Sequence, residues 1–161
     1  MNQPLRQRDQ LQQSEFEPQE SFLFLLNQAA SSKDKDELSA LSLSQSEAIR
    51  CKVAKNHFTS IETLQLLAND CRPCVRAAVA ANPSTPNPTL AKLAHDEEST
   101  VRLAVAQSLD TNIELLRELA LDRDQEVCSA ARLTYNKVTE EIARTKKETL
   151  DNSKSSEKLI A

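Results

Sequence analysis

The chain has 161 residues, 39% of them apolar and 27% charged, with four phenylalanines, one tyrosine and no tryptophan; this is room for one domain with an aliphatic core, and it excludes a deep aromatic-lined pocket. A formal charge of −4 excludes the broad positive field that draws in nucleic acid or an anionic membrane. Glycine is absent, which excludes the phosphate-cradling loops and dinucleotide fingerprints of the common nucleotide-binding enzymes and favours helices over tight hairpins.

Residues 1–20 are polar and glutamine-rich and are expected to form a disordered N-terminal tail. Residues 21–32 contain the stretch SFLFLLNQAA and predict a capping helix. Its apolar run, Phe22 to Leu26, is far too short to span a bilayer and lacks the basic flank and cleavage site of a signal peptide. The expected location is therefore cytoplasmic, where four cysteines stay reduced.

From residue 33 to residue 136 the sequence repeats itself every 26 residues. Ile49, Val75, Val101 and Val127 form one column; Val53, Val79, Val105 and Ala131 form another. Leu38, Leu64, Leu90 and Leu116 keep the same step, as do Leu41, Leu67, Leu93 and Leu119, Arg50, Arg76 and Arg102, Asp70, Asp96 and Asp122, and Thr59, Thr85 and Thr111. Units are expected at about 33–58, 59–84, 85–110 and 111–136.

Each unit predicts two helices. The first is expected to begin at the threonine, where TSIE and TNIE place Glu62 and Glu114 as the far half of a capping box; in the third unit Pro86 takes the first helical position. The second helix carries the phrases VRAAVA and VRLAVA and is apolar nearly all round, as a helix buried on several sides must be. It is expected to end at Asn56 or Asn82 in a left-handed turn. Helices of two to three turns are unstable alone in water, so each unit must cover the apolar face of the last and the units stack as a solenoid. Residues 137–161 are read as the end of one longer closing helix followed, from about 147, by a disordered C-terminal tail.

The stretch VRAAVAANPSTPNPTLAKLAHD, followed by VRLAVA, resembles the leucine-rich repeat variant family, a relative of HEAT-type α-solenoids, over about residues 48–128. Its most specific part is the loop NPSTP, of which NHFTS and SLDTN are degenerate copies. The resemblance implies an all-α, right-handed solenoid of about four two-helix repeats with helical caps, serving as a binding scaffold with no activity inherent in the repeat. The family's iron–sulfur segment is a separate cysteine-rich region, and no such region stands in this sequence.

Asp70 lies six residues before Arg76, and Asp96 six before Arg102. This spacing predicts a structural ladder in which an aspartate at the end of one helix meets an arginine at the start of the next and offsets its unfavourable place near a helix N-terminus. A competing reading is an arginine stripe aimed at phosphates. Cys71 and Cys74 make a CxxC, a spacing compatible with metal or thiol redox chemistry. Cys128 is about two units away, on the order of 20 Å, too far to join one metal, and Cys51 shares the column of Ala77, Leu103 and Ser129 and reads as a small packed side chain. His57 and His95 have no nucleophile at triad-like spacing.

The function expected from these residues is a non-enzymatic protein–protein interaction scaffold with no cofactor, no bound metal and no membrane contact. Residue type changes from unit to unit at Lys55, Ala81 and Gln107, and at Gln65, Ala91 and Arg117, so Lys55, Gln107 and Arg117 are the expected partner surface. The alternatives are nucleic-acid binding, against which stand 12 basic and 15 acidic residues between 33 and 136, and a metal or redox role through Cys71 and Cys74.

Overall fold

The 26-residue period is written directly into the helix boundaries. The computed structural model describes residues 18–157, with side chains from 21 to 149. Its helices are α1 (Pro18–Ser31), α2 (Lys35–Leu41), α3 (Glu47–Lys55), α4 (Ile61–Leu67), α5 (Pro73–Ala80), α6 (Asn87–Leu93), α7 (Ser99–Gln107), α8 (Ile113–Leu119) and α9 (Gln125–Glu157). The first helices of the pairs begin at 35, 61, 87 and 113, and the second helices at 47, 73, 99 and 125. There is no strand among the described residues. The fold is an all-α repeat solenoid.

The second helices carry the stack. α1, α3, α5, α7 and α9 pack in that order, each on the next, while each first helix packs on the second helix of its own pair. The valine columns line this row: Val53, Val75, Val79, Val101, Val105 and Val127 are all fully buried. From the other side come Leu38, Leu64, Leu90 and Leu116. Each such side chain contributes about 1.5 to 3 kcal/mol on burial. Ala54, Ala80 and Ala106 also reach zero exposure; a methyl group at this column lets neighbouring helices approach closely.

Two predicted helix ends differ from those observed. The first helices start two residues after the threonine column, with the cap one residue after it: the Ser60 hydroxyl accepts from the Thr63 amide, Asn112 accepts from the Leu115 amide, and Pro86 occupies the cap position rather than the first helical one. Thr59, Thr85 and Thr111 instead turn backwards, donating their hydroxyls to the carbonyls of Val53, Val79 and Val105 at 2.6, 2.6 and 2.8 Å. Each of these carbonyls already accepts one amide at the helix end, from Asn56, Asn82 or Ser108, and the buried threonine hydroxyl fills its second acceptor site.

The asparagines do not adopt a left-handed turn. No non-glycine residue has positive φ among the described residues, and Asn56 is extended at φ −76° and ψ 127°. Its buried amide reaches back to the end of the capping helix, donating to Ala29 O and Ser32 O at 3.0 and 2.9 Å. Asn82 repeats the device with Ala54 O at 2.7 Å and Asn56 O at 3.0 Å. Each side-chain oxygen then accepts the amide two residues on, Phe58 or Ser84. Asparagine occupies the column because one planar group can donate twice and accept at the same time.

The ends also depart from the expected domain limits. α1 begins at Pro18 and closes the stack against α3; of the expected N-terminal tail, residues 1–17 lie outside the described residues. At the other end α9 runs to Glu157, so the tail expected from about 147 is helical that far, and 158–161 lie outside the described residues. After Pro88 the chain has no further proline to break the helix, and Arg144 bridges to Glu141 and Glu148 one turn away on either side. No described helix is long and apolar enough to cross a membrane.

Candidate functional site

Three arrays of polar side chains run across the interfaces between units. In the first, Arg50, Arg76 and Arg102 each clasp an aspartate with two nitrogens. Arg50 meets Asp70 at 2.6 and 3.0 Å, Arg76 meets Asp96 at 2.7 and 2.7 Å, and Arg102 meets Asp122 at 2.8 and 3.0 Å. All four residues expected in the ladder are in it, but with different partners. The arginine pairs with the aspartate of the following unit, 20 residues on, and not with the one six residues before it. The six-residue spacing has its own contact: Arg76 Nη1 donates to the backbone carbonyl of Asp70 at 2.8 Å and Arg102 Nη1 to that of Asp96 at 2.9 Å. The Asp70 and Asp96 carboxylates cannot turn to that arginine because each also caps its own turn, accepting the amide of Arg72 or Glu98.

These pairs are enclosed. The arginine side chains are 13, 10 and 6% exposed along the series. Burial alone would raise the Asp70 and Asp96 carboxyls; the arginine bonds, the backbone amides and the arginine charge outweigh it and hold both below the ordinary aspartate value. At Asp122 the Arg102 bond is the largest influence and the net shift is again downward. The same bonds raise Arg50, Arg76 and Arg102. A planar fork satisfied on both prongs by a carboxylate is not free to read phosphates.

The second array lies on the first helices. His95 at the end of α6 places Nδ1 2.9 Å from Ala91 O and Nε2 2.8 Å from Glu118 of α8. The Ala91 carbonyl first, then Glu118, raise its pKa above the ordinary histidine value. Lys92 bonds to Asn69 one unit earlier. A shallow depression of about 560 Å³ opens here, lined by His95, Glu118, Asp96 and Arg102 among others. Within it His95 bonds to Glu118 and Arg102 to Asp122. His57 is exposed in a turn.

The third array involves the cysteines. The CxxC does not bring its sulfurs together: Cys71 lies 3.8 Å from Asp70 Oδ1, whereas Cys74 Sγ is 3.6 Å from Cys51 Sγ and 2.9 Å from Glu47 Oε1. Cys51, expected to be a plain packing residue, is therefore the nearest sulfur to Cys74. Cys128 donates to Ala120 O at 3.0 Å, tying α9 to the end of α8. Among the described residues, no group of three or more His, Cys, Asp or Glu side chains is arranged to hold a metal ion, and no buried side-chain nitrogen or oxygen lacks a partner.

Lys55, Gln107 and Arg117 are all exposed, but they do not share one face. Lys55, Ala81, Gln107 and Leu133 mark successive second helices, and Gln107 lines a groove with Leu103, Glu126, Ser129 and Leu133. Arg117 stands on α8 and lines a different groove, with Leu121, Arg132 and Tyr135.

A stack of helix pairs tied by a recurring arginine–aspartate clasp defines the chain as an all-α repeat protein. Comparison with family models agrees at the repeat level. Residues 74–98 match the leucine rich repeat variant model, a segment that runs from Cys74 in α5 to the cap of α7 and so spans about one period. The resemblance drawn from VRAAVAANPSTPNPTLAKLAHD is upheld there. Comparison with curated proteins and with solved structures gave no match.

Proposed function

We propose that the chain is a non-enzymatic, cytoplasmic scaffold that binds a protein partner along the exposed side of α3, α5, α7 and α9. The observation that supports this reading is a contrast between columns on the same helices. Buried positions hold one residue type through the first three pairs, as at Val53, Val79 and Val105 or at Ala54, Ala80 and Ala106. The exposed neighbours of that column change completely: Lys55, Ala81, Gln107 and Leu133. Packing dictates the first set, and nothing within the chain dictates the second. Leu133 is 63% exposed beside the groove that holds Gln107, and an apolar side chain rimmed by polar ones is the composition of a protein-binding patch.

The same geometry disfavours nucleic acid as partner, because the three arginines that would form a basic stripe are each clasped by an aspartate and few cations remain for counterion release.

The test is capture of partners from the native cell on immobilised protein, with the triple variant Lys55→Glu, Gln107→Ala, Leu133→Ser compared with Arg117→Ala. A specific protein lost with the triple variant and kept with Arg117→Ala supports the reading. Equal capture by both variants removes this face, and salt-sensitive binding of DNA would replace the protein partner altogether.

A further inference from the structure

We propose that Cys51 and Cys74 form a reversible dithiol–disulfide couple, oxidised by a peroxide, that staples the first helix pair to the second. Their sulfurs face each other at 3.6 Å across the α3–α5 interface, although 23 residues separate them and the near neighbour of Cys74 in sequence, Cys71, bonds elsewhere.

The juxtaposition comes from the repeat itself and not from one side-chain rotamer. One period later the same two positions hold Ala77 and Thr100, which line one depression together; another period on they hold Leu103 and Glu126, which again share a groove. The two positions therefore meet at successive interfaces, and only between α3 and α5 are both occupied by cysteine. Helices packed 8 to 10 Å apart, with Cα atoms about 2.3 Å off each axis, bring facing Cα atoms to roughly 3.5 to 5.5 Å. That range overlaps the roughly 4.4 to 6.8 Å that a disulfide spans, so closure needs side-chain rotation and little backbone movement.

The surroundings assign the two sulfurs different parts. Cys51 is half-buried and Cys74 exposed, and Cys74 and Glu47 line a depression of about 540 Å³ beside the pair. Burial of its sulfur, then the Glu47 carboxylate and Cys51 beside it, push the Cys74 thiol up to about 12, so Cys74 reacts second. The Cys51 sulfur attacks one peroxide oxygen and the O–O bond breaks; the product is a sulfenic acid, and the departing hydroxide leaves as water with the Cys51 proton. Cys74 then attacks the Cys51 sulfur. The S–O bond breaks, the S–S bond forms, and the Cys74 proton passes by way of Glu47, 2.9 Å away, to the hydroxyl that leaves as a second water. Two thiols and one hydrogen peroxide give one disulfide and two waters.

The staple closes a loop that contains α4 and restrains the unfolded chain, which predicts a rise in melting temperature of about 5 to 10 °C on oxidation. The experiment treats the full chain with hydrogen peroxide, blocks remaining thiols and maps linked peptides by mass spectrometry, with Cys51→Ser, Cys74→Ser and Cys71→Ser in parallel. Serine already stands in the Cys51 column at Ser129, and circular dichroism checks that each variant folds. The expected result is a Cys51–Cys74 linked peptide in the wild type and in Cys71→Ser, absent from the other two and reversed by dithiothreitol, with the melting shift following the link. A link between Cys71 and Cys74, or no intramolecular link while the thiols oxidise singly, overturns the proposal.

Discussion

Arg102 holds Asp122 across the junction between the third and fourth helix pairs, Nε at 2.8 Å and Nη2 at 3.0 Å from the two carboxylate oxygens, with both side chains under 10% exposed. A pair so enclosed resists the loss of one member more than the loss of both, because the survivor is left as an uncompensated buried charge. Asp122→Ala should cost about 3 to 5 kcal/mol, and the double variant Arg102→Met, Asp122→Ala should cost less than the sum of the single changes. A double-mutant cycle measured by urea unfolding should give a larger coupling energy for Arg102 with Asp122 than for Arg102 with Asp96, which meets that arginine only through its backbone carbonyl. The reverse order would contradict the clasp.

The period made the elements legible, and the stacking made the site illegible. Seven columns with one spacing place the helices and name the core valines and leucines from the sequence alone. What one unit does not state is how far it slips against the next. Cys51 with Cys74, Asn69 with Lys92, and His95 with Glu118 are each 23 residues apart, one period less three, the offset of about one helical turn. The arginine clasps are each 20 apart. A search for complementary side chains at the period less three or less six would have found these pairs; a search within a unit finds Asp96 before Arg102 and Cys71 before Cys74, which are neighbours in sequence and point elsewhere. The backward bonds of Thr59 and Asn82 are hidden for a related reason: both residues are common helix punctuation, and only carbonyls of the preceding unit give them another use.

Asn82 bonds three backbone groups, Ala54 O and Asn56 O of the preceding unit and the Ser84 amide of its own, so its replacement removes partners from buried or half-buried groups. Asn82→Ala should destabilise the fold by roughly 2 to 4 kcal/mol, since each buried group left unpaired costs about 1 to 3 kcal/mol and solvent recovers part of the loss. Asn82→Ser should cost less, because Ser108 occupies the same column one unit later. Chemical denaturation measures both; an Asn82→Ala variant as stable as the wild type would mean that the bonds to Ala54 and Asn56 contribute nothing.

Two sets of groups give stability opposite slopes with pH. Asp70, Asp96 and Asp122 have folded values below the unfolded one, so their contribution is complete above about pH 4 and is lost as pH falls through the folded values. His95 has a folded value above the unfolded one; its contribution is complete below about pH 6.5 and is lost as pH rises through the folded value. The histidine pair is exposed, 64 and 57%, so its effect is the smaller one. Melting temperature should fall steeply in acid and slightly above neutrality, and His95→Gln should abolish the second decline alone. A variant that leaves the decline above neutrality intact would assign it to another group.

α9 is a core helix for its first four turns and a surface helix afterwards. Val127 and Ala131 are fully buried and Thr134 is 5% exposed, whereas every described side chain from 140 to 149 is exposed. The first part is held by α7 and α8; the second is held by its own hydrogen bonds and by the Arg144 bridges, each worth only tenths of a kcal/mol. Val127→Ala should therefore cost roughly 2 to 3 kcal/mol, and Thr145→Ala should stay within about 0.5 kcal/mol of the wild type. Hydrogen exchange should separate the two parts within one unbroken helix, with slow amides from Val127 to Thr139 and fast ones from Thr145 to Thr149. Uniform protection along that length would mean that a second surface covers the outer part, and its occupant would have to be sought in a partner or in another copy of the chain.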